Sequence, residues 1–343
     1  MKGSVADLRR IGGALFVAAG ASERDAETVM AHLLEAEEMG LRSHGVMRVP
    51  QYLAEIEAGE LDPRGVPSVE ATQAGRATVD GGGTFGQVVG MRMADVAVEL
   101  AGQTGIAIVT GRHMGHTGRI GAYPEWIAAR GLIGITVCSG PPSGHWVAPF
   151  GGREGRMATN PIAFAYPVAG GSPVVADFST AATAEGVIRN MRHRGLEAPA
   201  GWLRDADGEP TTDPGALYAT PRGTIQPFGG AQGFRGTALG LFVELLATLL
   251  AGDAVDDGRR KGSNLAVLAI GTQAGFEDLA AGMNGHLRSA APIDPSTPVL
   301  LPGEREQINR AAAGATIEID PPTWTALADA AEQAGIGVLR DHG

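Results

Sequence analysis

The chain has one cysteine, Cys138, and two lysines, Lys2 and Lys261. A single thiol forms no intrachain disulfide, which fits a reducing, cytoplasmic setting. Cys138 itself reads as a small buried residue on a strand. Because every other cation is arginine, a Schiff-base enzyme would have to use a tail lysine or one in a basic loop, which disfavours pyridoxal-type chemistry. Positive charge is scarce overall: 27 Lys and Arg face 38 Asp and Glu, for a formal net charge of -11. That balance lacks the basic footprint that nucleic acid or an anionic membrane demands, so neither partner is expected. Long apolar runs are missing too. The most apolar stretch, Thr237 to Gly252, is shorter than the roughly 20 residues needed to span a bilayer and carries Glu244 in its middle. It reads as a buried helix. At the N-terminus Asp7, Arg9 and Arg10 precede the apolar patch and helical periodicity continues beyond it, so no signal peptide is expected.

What is present is globular. The 343 residues are 44% hydrophobic and 19% charged, with 52 glycines that imply many tight turns and close backbone approaches. That length allows two or three lobes. From Val5 to about Gly59 the apolar spacing predicts helices, joined by the short polar link GLRSHGV. RATVD reads as a strand, Gln87 to Ala101 as a helix and GIAIVTG as a buried strand. Helix (Gly121 to Arg130) and strand (GLIGITVCSG) alternate onward, with extended segments at PIAFAYPV and PVVADFST. Arg189 to Pro227, rich in Gly and Pro, reads as long surface loops. The apolar helix then leads to a basic loop, GRRKGSN, a strand, LAVLAIG, and two closing helices. The pattern predicts an α/β core of residues 73–289, with a helical lobe formed by both chain ends, 1–72 and 290–343.

Gly81 to Gly86, GGGTFG, matches a dinucleotide-binding turn after a strand, but a glycine-rich chain also produces such turns by chance. Three other clusters place donors and ionisable groups in loops beside rigid elements. In the first, Ser43, His44 and Arg48, a guanidinium can hold a carboxylate in two parallel bonds while an imidazole exchanges a proton. Ser43 is equally a candidate helix cap. The second, Arg112 to Gly118, puts His113 and His116 at the end of the buried strand, where α/β proteins favour ligand sites. The third, Thr159, Asn160 and Pro161 with Asp177, Phe178 and Ser179, offers amide, hydroxyl and backbone groups suited to a carboxamide or a phosphate. A metal-dependent hydrolase or lyase using His113, His116 and His145 is a competing reading. No recognisable ligand set completes it, so no metal is expected.

Taken in order, RSHGVMRVPQYL, HTGRIGAY, GLIGI, VAPFGGREGRMATNPIAFAYP, VVADFST, GWLRDADGEPTTDP, LGLFVELLATLLAG and LPGERE resemble the malate/L-lactate dehydrogenase family of the non-Rossmann type, almost end to end. That family includes sulfolactate, ureidoglycolate and hydroxycarboxylate dehydrogenases and cyclic imino-acid reductases. The resemblance implies a mixed-sheet, non-Rossmann nicotinamide-binding core, a homodimer, and hydride transfer between NAD or NADP and a small carboxylic acid. The acid would be a 2-hydroxy or 2-oxo acid or, alternatively, a cyclic imino acid. It also argues against GGGTFG as the cofactor fingerprint. By matching motif, His116 resembles the catalytic acid/base, His44 and Ser43 auxiliary proton-handling groups, and Arg48 the carboxylate ligand, with Thr159 on the substrate side. Asn160, Pro161, Asp177, Phe178 and Ser179 would lie on the cofactor, with Pro302, Gly303, Glu304 and Arg305 near its other end. Two lysines of the relatives are missing: Val187 stands at one position, and CSGPPSGHW offers no counterpart to the other. Where many relatives carry a Lys-Gly block this chain has Arg235 and Gly236, still a phosphate ligand but with a planar fork. A catalytically weakened nucleotide-binding relative is therefore a further alternative.

Overall fold

The computed structural model describes residues 1–255, 258, 262–337 and 339–342, without the side chains of 71 and 72. The expected basic loop over Arg259, Arg260 and Lys261 lies outside the described residues. Strand β1 (Lys2–Ser4) leads into α1 (Val5–Ala18) and α2 (Glu23–Glu38). Ser4 and Ser22 start these helices by accepting the N–H groups of Asp7 and Asp25, which would otherwise be unpaired. A single 3-10 turn, Arg42–His44, carries the chain into α3 (Arg48–Glu57).

The hairpin β2 (Ser68–Gln73) and β3 (Arg76–Asp80) precedes α4 (Gly86–Thr104), which ends at Gly105 with φ 80°. Next come β4 (Ile106–Met114), α5 (Ala122–Ala128), β5 (Ile133–Ser139), β6 (Ile162–Tyr166) and β7 (Val174–Phe178). The expected surface loops after Arg189 turn out to be structured. Helix α6 (Glu185–His193) is followed by β8 (Leu203–Arg204), β9 (Pro210–Thr211) and β10 (Thr224–Ile225), which form a small antiparallel sheet. Its own core holds Leu203, Leu217 and Ile225. Strands of two residues are too short to show a period, so the sequence pattern could not announce them.

The apolar helix is also corrected. It forms α7 (Phe234–Val243), continued by a wider π-helical turn at Glu244–Leu249. It is buried on one side only: Val243, Glu244 and Ala247 face inward, while Leu241, Phe242, Leu245 and Leu249 are about half exposed or more. Then follow β11 (Ser263–Ile270), α8 (Phe276–Arg288), α9 (Glu304–Ala312), β12 (Thr316–Glu318) and α10 (Pro321–Gln333).

Seven strands form one mixed sheet in the order β2-β3-β4-β11-β5-β6-β7, in which β3 and β4 run parallel and the other neighbours antiparallel. Val79, Val109 and Val267 pack under Met93 of α4 and Tyr123 and Ile127 of α5. Fully burying such side chains stabilises by about 1.5–3 kcal/mol each. The two chain ends share a second core: Leu15, Phe16, Leu33 and Tyr52 pack with Ile317, Trp324 and Leu327, and β1 pairs antiparallel with β12. Cys138 lies buried on β5. No helix among the described residues is long and apolar enough to cross a membrane.

Candidate active site

Helix α3, the loop after β4 and the start of α6 enclose a cleft of about 730 Å³, lined among others by His44, Arg48, His116, Thr159, Glu185 and Arg189. The end of the glycine turn stands behind one wall, formed by Gly115 and His116. A Cβ on Gly86 would come within 2.5 Å of the carbonyl oxygens of Gly115 and His116. Glycine there lets α4 press directly against the backbone that carries His116.

His116 and His44 stack with ring centroids 5.6 Å apart and planes 7° from parallel. Nδ1 of His116 contacts the Tyr52 hydroxyl at 2.8 Å and accepts the Gly118 N–H at 3.3 Å. Removal from water and the nearby Arg48 guanidinium hold both imidazoles below their ordinary range, His44 at about 3.

Arg48 is 5% exposed. Its Nε donates to the Ser43 carbonyl (2.8 Å) and its Nη1 to Gln51 Oε1 (2.6 Å), and no carboxylate among the described residues pairs with it. Gln51 is turned by Glu55, whose Oε1 accepts the Gln51 Nε2 amide at 2.7 Å; burial raises the Glu55 carboxyl. The same Gln51 oxygen receives Arg189 at 3.4 Å. Arg189 is anchored by Glu185 (2.7 Å), and Glu185 by the Tyr218 hydroxyl (2.7 Å). Arg119 makes the contrast: at 4% exposed it is as buried as Arg48, yet it bridges the carboxylates of Glu35 and Glu125 at 3.0 and 2.7 Å. One buried guanidinium is neutralised by carboxylates within the protein, and the other has no carboxylate partner among the described residues.

The expected site residues divide accordingly. His44, Arg48, His116 and Thr159 meet in the cleft. Ser43 enters through its carbonyl, which fixes Arg48, rather than through a hydroxyl in the cleft wall. Asn160 is fully buried at φ 40°, and its amide nitrogen donates to Gly240 O (3.2 Å) and Glu244 Oε1 (2.9 Å). In this structure it braces the turn carrying Thr159 and offers the cleft no open surface. From Thr159 a chain of contacts leads on to several of the remaining residues. The Thr159 carbonyl accepts Ser179 Oγ at 2.8 Å and Thr180 N–H at 3.2 Å. The Thr180 carbonyl in turn accepts the Phe228 N–H at 2.9 Å, and Phe228 abuts Gly236 beside the exposed Arg235. Phe178 and Asp177 are exposed at the end of β7, and Gly303 closes onto Val175, where a Cβ would lie 2.6 Å from the carbonyl oxygen. Glu304 is engaged by the Leu301 N–H and Arg288. His113 sits away from this cleft, at φ 55° with Nδ1 3.0 Å from Asp80.

The sequence pattern passed over Gln51, Tyr52, Glu55 and Arg189. A signal existed: Arg48, Gln51, Tyr52 and Glu55 follow the i, i+3, i+4, i+7 spacing of one helix face. On that face polar groups stand where a core stripe would be apolar.

His32, 7% exposed beneath the Gly118 turn, is lowered to about 4 mainly by burial, with Arg119 adding to the effect. Its folded pKa lies below the unfolded value near 6.5, so the unfolded chain binds the proton first and stability falls as pH drops from 6.5 toward 4. Between pH 6.5 and 5 this residue withdraws about 2 kcal/mol. Glu37, raised by burial to about 7, works oppositely between pH 4.5 and 7, so the comparison must be with a variant. Urea unfolding of His32→Leu at the two pH values is expected to show a correspondingly smaller loss; an equal loss in both proteins refutes the assignment.

The family profile described as malate/L-lactate dehydrogenase matches residues 4–328. The chain is 34% identical to the L-lactate dehydrogenase of Cupriavidus necator, over 98% of this chain and 99% of that one. It is 38% identical to a Delta(1)-pyrroline-2-carboxylate reductase of Burkholderia ambifaria, over 68% and 66% of the two chains. Among solved structures, the sulfolactate dehydrogenase of Methanocaldococcus jannaschii superposes with a TM-score of 0.85 at 27% identity, covering 98% of each chain.

Proposed function

The chain belongs to the malate/L-lactate dehydrogenase family, and on that premise we propose that it moves a hydride between NAD or NADP and a small 2-oxo or 2-hydroxy acid. It is an enzyme of the hydroxyacid dehydrogenase and reductase kind. The observation that carries the reading is Arg48: a buried guanidinium with no carboxylate partner among the described residues, in the same cleft as the stacked pair His44 and His116. A substrate carboxylate supplies the missing charge in a planar, two-pronged geometry. His116 then stands beside the reacting oxygen as the group that gives or takes its proton.

The path from Thr159 through Ser179 to Phe178, and back along β7 to Gly303 beside Val175, fits a dinucleotide, since it joins hydroxyl and backbone groups to an exposed aromatic face along one strand. The bound nicotinamide supplies or receives the hydride, and the protein supplies position and charge. Ser179, Thr159 and Arg235 are assigned to binding. Asn160 and Ser43 act behind the surface, and Glu304, already engaged, orders the start of α9.

The test is absorbance at the reduced-nicotinamide band, with NADH and NADPH separately, against a panel of 2-oxo acids and cyclic imino acids. Oxidation that disappears in His116→Ala supports the reading and selects between the cofactors. Folded protein that oxidises neither cofactor with any acid sinks it.

We further propose a cytoplasmic homodimer. The outward row Leu241, Phe242, Leu245 and Leu249, with Phe228 and Phe234, leaves six large apolar side chains about half exposed or more, the kind of surface a partner covers. In analytical ultracentrifugation the wild type is expected at twice the chain mass and Leu245→Asp at the chain mass. A monomeric wild type removes the dimer.

A further inference from the structure

His116 meets the cleft with one nitrogen and the interior with the other. The interior nitrogen, Nδ1, has two neighbours, Tyr52 Oη and the Gly118 N–H. A backbone N–H only donates, so the Gly118 contact, the longer of the two at 3.3 Å, favours an acceptor at Nδ1. The phenol agrees. Its oxygen accepts the Gln87 Nε2 amide at 2.8 Å, which leaves its single hydrogen to point at Nδ1. Tyr52 and Gln87 are both 0% exposed, so no bulk water competes for these positions. A neutral imidazole that accepts at Nδ1 carries its hydrogen on Nε2, the nitrogen on the cleft side.

We propose that Gln87, acting through Tyr52, is a positioning residue that holds His116 as the Nε2–H tautomer, and that Tyr52 is the proton donor standing behind it. The kinetic part rests on the hydride-transfer reading above; the tautomer does not. In the reducing direction, once the carbonyl carbon has gained a hydride, its oxygen takes the Nε2 proton while Nδ1 takes the phenol proton. An N–H and a phenol O–H bond break, and an alcohol O–H and an Nδ1–H bond form. Burial disfavours a phenolate on Tyr52, and the Gln87 N–H and the field of the nearby Arg48 guanidinium offset part of that cost; as solvent in the cleft reprotonates Nε2, Nδ1 returns its hydrogen to the phenolate. A neutral imidazole without this second donor would have to become an anion to deliver its proton, which His116 cannot do near neutral pH.

Two readouts test the proposal. In the full chain labelled with 15N-histidine, long-range 1H–15N correlations report the His116 tautomer without cofactor or substrate. Nε2–H is expected in the wild type, with a shift toward Nδ1–H in Gln87→Glu, whose carboxylate draws the phenol hydrogen away. Should that buried carboxylate unfold the protein, Tyr52→Phe keeps the ring and removes the hydroxyl, and a change in the His116 nitrogen shifts is expected there. Nδ1–H in the wild type, or shifts indifferent to the substitutions, overturns the proposal. In turnover, Tyr52→Phe is expected to lower kcat about a hundredfold with KM for the acid nearly unchanged. The rate in H2O/D2O mixtures should change from a bowed to a linear dependence. A linear wild-type dependence together with full kcat in Tyr52→Phe also overturns it. A wild type inactive toward every acid would sink the functional reading, and the tautomer would still be decided by the nitrogen shifts.

Discussion

Replacing His116 by alanine is expected to lower turnover by about two orders of magnitude or more while leaving cofactor affinity within about twofold of the wild type. The separation follows from the geometry. His116 lines the cleft beside His44 and Arg48 and is tied at Nδ1 to Tyr52 and Gly118. The residues assigned to the cofactor run from Ser179 and Phe178 at the end of β7 back to Gly303, which packs on Val175 near the start of that strand. Losing the imidazole therefore removes the proton step and spares the binding path. Single-turnover rates and fluorescence titration of the reduced cofactor measure the two quantities independently. A rate within threefold of wild type would strip His116 of its role, and equal losses in rate and affinity would mean that it shapes the cofactor site instead.

Arg48→Leu is expected to reduce kcat/KM for an acid substrate by about a hundredfold or more, chiefly through KM. Activity on the corresponding amide, small to begin with, should change little. A charge-assisted, two-pronged contact to a carboxylate is the interaction lost. The substitution is also expected to leave the melting temperature of the free protein nearly unchanged. The charge it removes is buried without a carboxylate partner among the described residues, and such a charge costs stability when no ligand is bound. Comparable activity on acid and amide in the wild type would refute the assignment. A large fall in melting temperature would show that Arg48 is held chiefly for the Ser43 and Gln51 contacts.

Much of this was legible from residue order, for reasons that differ along the chain. The spacing of the N-terminal helices and the buried strand leading to His113 are short-range features, so each segment announces its own structure. His44, Arg48 and His116 stood out because imidazoles and a guanidinium lie close to glycine in loops. Gln51, Tyr52 and Glu55 did not, because each is unremarkable on a helix until its face is known to border a cleft. The three-stranded sheet beyond α6 was invisible because its strands are two residues long. The inner face of the apolar helix could not be chosen, because that helix is apolar nearly all round.

The amino-acid order by itself determined the class of the chain, the alternation of its elements and the loops that carry the ionisable groups. All of these follow from contacts between near neighbours and from solvent preference. Only the tertiary structure decided which charges are neutralised and which nitrogen of His116 faces the cleft. Arg119 finds Glu35 from 84 positions away, Tyr52 reaches His116 across 64, and Gln87 reaches Tyr52 across 35. Pairings over such separations are set by packing of the whole chain, and a buried polar group takes its chemical character from the partners that packing supplies.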